Sequence, residues 1–472
     1  NVNAGYRNGI KSTDDCIIVS GTLNITSTED GIIGKDLCGI VAGDININAG
    51  SDGIKSTYDT DTTKGNVIIE GGNITIKASN DGIQAENILV INDGTINIKT
   101  NNGAADTTQT HTDNMYMGRG GFGFNNNKTT TTTDDTAESR KGIKAGNMLI
   151  INDGDITIDS DDDSVHCNSV IYIYGGTINA ATGDDGVHAD DLLTVNGGTI
   201  NITQCYEGLE ADDIVINDGD ISVVSSDDGI NSSDGSITIN GGNLLINASG
   251  DGLDANGSII INGGYIVVLG PTSDGDTAID YDASCTINGG TVMAFGSSGM
   301  LEIPKGASNG ACIVTAFTSV SGGSKYTLSD SNGNEILSYT PSKAYAAAIV
   351  YSDKITTGNT YDITAGSTTL SIEVTSDVTS NVSSGLGKAG GMNMPGNGGS
   401  GMPNNGSSDN GMNGNSNGSM PDMSGNGAPD MNGNSSGDMP SMGGNSSNNG
   451  GNMPNMNNGS SNGSAPQMNN RM

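Results

Sequence analysis

A three-residue pattern, D-G-I or a close variant, returns along the first two-thirds of the chain with its middle residue at Gly9, Gly31, Gly53, Gly82, Gly142, Ser164, Gly186, Gly208, Gly229, Gly252 and Ala278. The successive separations are 22, 22, 29, 60, 22, 22, 22, 21, 23 and 26 residues. So regular a period limits the fold before any single element is assigned, because each unit must be one repeat that buries its apolar face against the next. Within a unit the order is D-G-[IVL]-x-A, a few polar residues, alternating apolar residues, a G-G or D-G turn and I-x-I, as in "DGVHADDLLTVNGGTINI" at residues 185 to 202. Period-two alternation on both sides of the turn reads as strands.

An isolated N-G-G would signal a hairpin. The period decides against that, because hairpin arrays carry two strands per unit and propeller blades need about 40 residues. Leucine-rich repeats lack their L-x-x-L-x-L here, and the calcium-binding nonapeptide roll lacks its period. Three short strands in about 22 residues fit one coil of an all-β parallel β-helix. Coils stacked about 4.8 Å apart turn each repeat position into a column.

Two columns read as structure. Asn92, Asn152, Asn196, Asn217, Asn240, Asn262 and Asn288 precede the turn, where side-chain amides can bond from coil to coil. Cys16 and Cys38 share a column with Leu89, Leu149, Ile171, Leu193 and Val215, so they are expected as small buried hydrophobes.

The organisation expected is a β-helix over residues 1 to 299, interrupted by a low-complexity loop at 101 to 140. A small β unit at 300 to 385 would cap its end, and a disordered Gly/Asn/Ser/Met-rich tail would follow at 386 to 472. The tail holds 13 of the 18 methionines. A G-x-G-x-x-G at Gly118, Gly120 and Gly123 has no strand before it and no helix after it, so it is not a dinucleotide fingerprint. "GASNG" at Gly306 to Gly310 has no downstream histidine to serve a nucleophile. A net charge of −36 argues against nucleic-acid binding, and no apolar run has the length of a membrane span.

The chemistry concentrates in the acids. Asp163, Asp185, Glu207, Asp228 and Asp251 stack in one column, Asp162, Asp184 and Asp227 beside it, and Asp190, Asp191, Asp212 and Asp213 form a second group at the following bend. Two charges 4.8 Å apart repel by about 0.9 kcal/mol even in bulk water. Ca²⁺ relieves such a stripe, since it takes six to eight oxygens in irregular geometry. The expected ligands are Asp162, Asp163, Asp184, Asp185, Glu207, Asp227 and Asp228; a merely solvated acidic edge is the alternative. The x of D-G-I-x makes a further column of Lys144, His166, His188, Glu210, Asn231, Asp254 and Asp280. Its neighbours face inward, so it is expected at the surface, with Lys144, His166, His188 and Glu210 contacting sugar hydroxyls and carboxylates. The two histidines also raise transition-metal binding, without a third soft ligand beside them.

With "DDGVHADD", "EGLEADD", "DDGINSSDGSITINGG" and "KGIKAGNMLIINDGDITI" in view, the chain resembles a family of clostridial carbohydrate-binding, β-helical cell-surface proteins, itself similar in structure to pectate lyases. The resemblance runs from about residue 9 to 375. It implies a right-handed parallel β-helix, bound Ca²⁺, an extracellular or cell-surface location and binding of cellulose or acidic sugars such as polygalacturonate. Ser164 departs from the repeat, and the first three coils lack the doubled acids.

Three functions stay open at this point. The first is calcium-dependent, non-catalytic binding of plant cell-wall polysaccharide, favoured because a ladder of similar sites grips a repeating polymer. The second is a polyuronate lyase, with Arg140, Lys141 or Lys144 as base, or a hydrolase using two carboxylates. The third is a structural or adhesive rod stiffened by Ca²⁺. Oligomeric state is open.

Overall fold

The computed structural model describes residues 1–104 and 139–382. Most of the insertion, with its G-x-G-x-x-G, and the Met-rich tail lie outside the described residues. Every regular element among the described residues is a strand. Most of them form a parallel β-solenoid of about 12 turns.

One turn shows how the sequence builds it. Ile143–Ala145, Met148–Ile151 and Asp155–Ser160 are the three strands of a coil. The first two belong to one sheet and the third to another. Each strand pairs in register with its counterparts in the coils before and after: Ile143 with Ile83 and Val165, Leu149 with Leu89 and Ile171, Ile156 with Ile96 and Ile178. Alternate residues point inward, so Asp155–Ser160 buries Ile156, Ile158 and Ser160 and turns the others out. The interior is a stack of Ile, Leu and Val columns running the length of the solenoid. Cys16 pairs with Cys38 in this register, and both are buried free thiols.

The N-G-G and N-D-G turns do not make hairpins. They bend the chain from one sheet into the other, with the last glycine of the turn left-handed, as at Gly154 (φ 114°), where a side chain would be strained. The preceding asparagines bond to one another: Asn152 Nδ2 donates to Asn92 Oδ1 (2.7 Å), Asn217 to Asn196 (2.8 Å), Asn240 to Asn217 (2.8 Å), Asn262 to Asn240 (2.8 Å) and Asn288 to Asn262 (3.0 Å). Tyr174 takes the place between Asn152 and Asn196.

The D-G-I glycine is required by space rather than by φ. A Cβ at Gly82 would stand 2.4 Å from Ile98 Cγ2, at Gly142 2.5 Å from Ile158 Cγ2, and at Gly186 2.4 Å from Ile202 Cδ1. Two coils lack the glycine and also lack the large residue it faces. Ser164 is opposite Ala180, and Ala278 opposite Ala294, at the positions that hold Ile or Val elsewhere. Ser164 Oγ then fits inside, 3.2 Å from Ser160 Oγ.

The parallel ladder ends at Thr291–Gly296, which pairs antiparallel with Tyr345–Ser352; that strand pairs antiparallel with Ala311–Val320. A separate antiparallel sheet of Tyr326–Asp330, Glu335–Tyr339, Thr360–Ala365 and Thr368–Glu373 carries Tyr326, Leu328 and Ile363 into a second core with Val267, Met293 and Phe295 of the last coils. Gly306 and Ala307 form a short strand beside Thr286 and Ile287, so "GASNG" is not a strand-to-helix elbow.

Candidate functional site

The column before the bend glycine has a structural duty that its charge conceals. One carboxylate oxygen of most of these acids accepts the backbone N–H of the next coil's residue in the same column. Asp52 donates to Asp30 Oδ1 (3.2 Å), Asp81 to Asp52 (3.0 Å), Lys141 to Asp81 (2.8 Å), Asp185 to Asp163 (3.1 Å), Glu207 to Asp185 (3.2 Å) and Asp251 to Asp228 (2.6 Å). Each bend thereby satisfies a backbone donor that would otherwise be buried without a partner. The second oxygen is left for another task.

At two acids in the first half of the column a cation takes that oxygen. Lys55 Nζ lies 2.6 Å from Asp52 Oδ2. Lys141 stands in the acid column itself and reaches Asp162 Oδ1 at 2.8 Å and Asp163 Oδ2 at 2.5 Å. Burial alone would raise the Asp163 carboxyl, but the Lys141 ammonium, the largest opposing influence, helps hold it well below the usual carboxylate range. Burial likewise opposes the charge on Lys141, and its two aspartates more than offset this, raising it above the usual lysine range.

Beyond His188 the matching stops. The x column, in register throughout, runs Lys144, His166, His188, Glu210, Asn231, Asp254, Asp280. From Glu210 onward its charged members repel the acids beside them. Burial, then Glu210 and Asp185, push Glu207 up to about 10, although Asn231 Nδ2 donates to it at 2.9 Å. Burial and the field of Asp254 and Asp227 push Asp228 up to about 8. Asp251 is pushed up to about 9, by burial and then by Asp228 and Asp254 against the N–H of Thr277. Glu210 rises to about 8, by burial partly offset by His188. Asp184, at the boundary, also reaches about 8, from burial and the charges of Asp163, Asp185 and Asp162.

The residues expected as ligands thus separate. Asp162, Asp163 and Asp184 do come together, within 4.8 Å of one another, but Lys141 stands among them. Asp185 Oδ1 accepts the Glu207 backbone N–H in the ladder, and Glu207 Oε2 accepts from Asn231. Asp227 borders Asp228, and its carbonyl accepts the Gly250 N–H (3.0 Å). Asp228 joins Asp251 and Asp254, two acids outside the expected set, in a cluster within the same 4.8 Å. The second group serves turns and neighbouring coils: Asp213 Oδ1 accepts the Ser236 N–H (2.9 Å), and Asp191 Oδ2 the Ser169 hydroxyl (2.7 Å).

Among the expected sugar contacts, Lys144, His188 and Glu210 are half-buried. His166 is only 9% exposed and lies beneath the surface, a departure from the solvent-facing position its column implies. The stacked acids enclose it, and the His188 ring packs edge-on against it at 4.9 Å between centroids. The three candidate bases are engaged: Arg140 Nη1 with Asp161 Oδ2 (2.7 Å), Lys141 as above, and Lys144 Nζ with Ser139 Oγ (3.2 Å). A polar depression at a different bend, among Asn73, Asp93, Asp153 and Asp155, has no part in this arrangement.

A family model described as carbohydrate-binding domain-containing protein matches residues 1–186 and again 184–372. The chain belongs to this family. No curated protein and no solved structure matches it. The two matches of the carbohydrate-binding domain overlap at Asp184 to Gly186, inside the bend where the matched acids give way to the unmatched ones.

Proposed function

We propose that this carbohydrate-binding protein holds an acidic plant cell-wall polysaccharide, polygalacturonate or pectin, at the bacterial cell surface, without catalysis and through Ca²⁺. The observation that carries this reading is the unmatched half of the acid column. Glu207, Glu210, Asp228 and Asp251 crowd one edge, beside Asp254, and no Lys or Arg among the described residues pairs with those four. A divalent cation restores their charge and leaves coordination positions open to a sugar carboxylate, the one arrangement in which two polyanions attract. Oxygens of Asp228, Asp251 and Asp254 within 4.8 Å of one another suit an ion whose Ca–O distances are about 2.3–2.6 Å. Lys144, His188 and Glu210, on three coils of the x column, then supply hydrogen bonds to hydroxyls.

Engagement of Arg140, Lys141 and Lys144 supports binding over elimination, because a lyase base must be free to take a proton. A second surface favours cellulose as an additional ligand. Tyr172 and Tyr174 stack at 6.3 Å between centroids, and Tyr174 is 53% exposed, a platform for the apolar face of a pyranose.

The test is co-sedimentation of the full chain with insoluble polygalacturonate and with cellulose, with Ca²⁺ or chelator, while the supernatant is assayed for unsaturated and reducing-end products. Calcium-dependent pelleting with polygalacturonate and no products is the expected result. Products would make the protein a lyase or hydrolase. Calcium-dependent stability without pelleting on either polymer would make it a structural rod, and calcium-independent pelleting on cellulose alone would leave the tyrosines as the site.

A further inference from the structure

The two histidines of the x column have surroundings that surface imidazoles lack. The chain contains three histidines in 472 residues, and two of them, His166 and His188, are register partners on adjacent coils. His166 Nε2 faces Asn168 Oδ1 at 2.9 Å; the amide oxygen accepts, so the ring carries its proton on Nε2 and presents a lone pair at Nδ1. That Nδ1 is enclosed, in a residue 9% exposed, and makes no hydrogen bond. Asp163 Oδ2 is only 2.8 Å away, with the ring turned so that no N–H points along the line between them. Two lone-pair atoms at that separation repel unless a cation lies against both.

His188 completes the arrangement. Its Nδ1 lies 3.7 Å from Asp163 Oδ2, 3.4 Å from Asp185 Oδ2 and 3.4 Å from Glu210 Oε2. These distances are those between ligands on one small ion: donors about 2.0–2.2 Å from zinc stand roughly 3.3 Å apart at tetrahedral angles. We infer that His166 Nδ1, His188 Nδ1 and Asp163 Oδ2, with Asp185 or Glu210 as fourth donor, form a site for a borderline divalent transition metal such as Zn²⁺, separate from the calcium edge at Asp228, Asp251 and Asp254. Two imidazole nitrogens select such a metal over Ca²⁺, which takes oxygen. Asn168 is the positioning residue, fixing the His166 tautomer as outer partners of metal-bound histidines do. His188 remains partly exposed (26% of its side chain), which gives the ion a way in. Lys141 keeps its contact with Asp163 and compensates part of the acidic excess.

The experiment uses the full chain without a histidine tag, stripped of metal and titrated calorimetrically with ZnCl₂ in excess Ca²⁺, followed by X-ray absorption of the zinc-loaded protein. One zinc per chain is expected, not displaced by Ca²⁺, with imidazole nitrogens in its first shell. His188→Gln should abolish tight binding, Asn168→Ala should weaken it about tenfold or more, and Asp251→Asn with Asp254→Asn should leave it unchanged. Displacement by Ca²⁺, a shell of oxygens only, or undiminished affinity in His188→Gln would overturn the site. Should the histidine variants fail to fold, the shell measured on the wild-type chain decides alone. Polysaccharide pelleting is read in parallel, so loss of the zinc result with pelleting intact sinks this inference and not the proposed function.

Discussion

Two stretches of one edge use the same acid column in opposite ways. From Asp52 to Asp163 the buried carboxylates are answered within the protein: Asp52 by Lys55, Asp81 by the Ser139 hydroxyl and the Lys141 N–H, and Asp163 by Lys141. Past Glu207 the backbone bonds recur at Asp228 and Asp251, which accept the N–H groups of Asp251 and Thr277, yet the neighbouring column now holds Glu210, Asn231, Asp254 and Asp280. The fold therefore forms the bend with or without a positive partner. What the second stretch retains is an unfilled demand for positive charge, and that is where a ligand-bearing ion has something to gain.

The sharpest way to break this contrast is Lys141→Met. Removing one partner of a buried ion pair costs about 3–5 kcal/mol, read as a fall in the urea midpoint in chelator. The control is Lys325→Met, whose pair with Glu335 at 3.0 Å is about half exposed on both sides and is worth at most about 1 kcal/mol. Equal losses at the two sites would show that the matched stretch is not held by its cations.

Calcium should act on the other stretch. At a hundredfold excess over its dissociation constant it stabilises by about 2.7 kcal/mol, measured as a rise in melting temperature. Asp251→Asn combined with Asp254→Asn should remove that rise, and Lys141→Met should keep it. A calcium response that survives the double replacement would place the ion elsewhere.

The pH profile gives a third, more graded contrast. Glu207, Glu210, Asp228 and Asp251 hold their protons more tightly folded than unfolded, with folded values of about 8 to 10. Their contribution is thus full below the ordinary carboxylate range and is lost as pH rises through those values. In chelator the protein should be more stable at pH 5 than at pH 9, and Ca²⁺ should flatten the slope. Asp163, held low, works in the reverse sense and loses its contribution only under strong acid. Stability in chelator that rises toward pH 9 would contradict the unmatched charge. Smallest of all, Asn240→Ala in the asparagine stack removes exposed amide bonds at a bend outside the contrast; a loss under about 1 kcal/mol is expected, identical with and without Ca²⁺.

The coil, its period and its columns were legible because one spacing organises them. The asparagine stack and the buried Cys16 and Cys38 followed from column membership alone. Column membership also named every acid, but it could not reveal that one oxygen of most of them is committed to a backbone N–H of the next coil, since that donor belongs to the main chain and leaves no trace in residue type. Lys141 did leave one: it is a lysine where the repeat calls for an acid, a reversal that points to local neutralisation. Asp251 and Asp254 sat in the right columns and escaped only because the doubled acid is missing there. His166 escaped because alternation assigns a side, while burial depends on how far neighbouring side chains reach over it.

The pairing of Ser164 with Ala180, and of Ala278 with Ala294, bears on how such a chain changes over generations. In each pair the exception and its compensation fall within a single coil, 16 residues apart. A duplication or loss of one whole coil carries both together, so the rod can lengthen or shorten without meeting an incompatible neighbour across the join. Heredity can thus treat the coil as an interchangeable part, even when its sequence has drifted from the repeat.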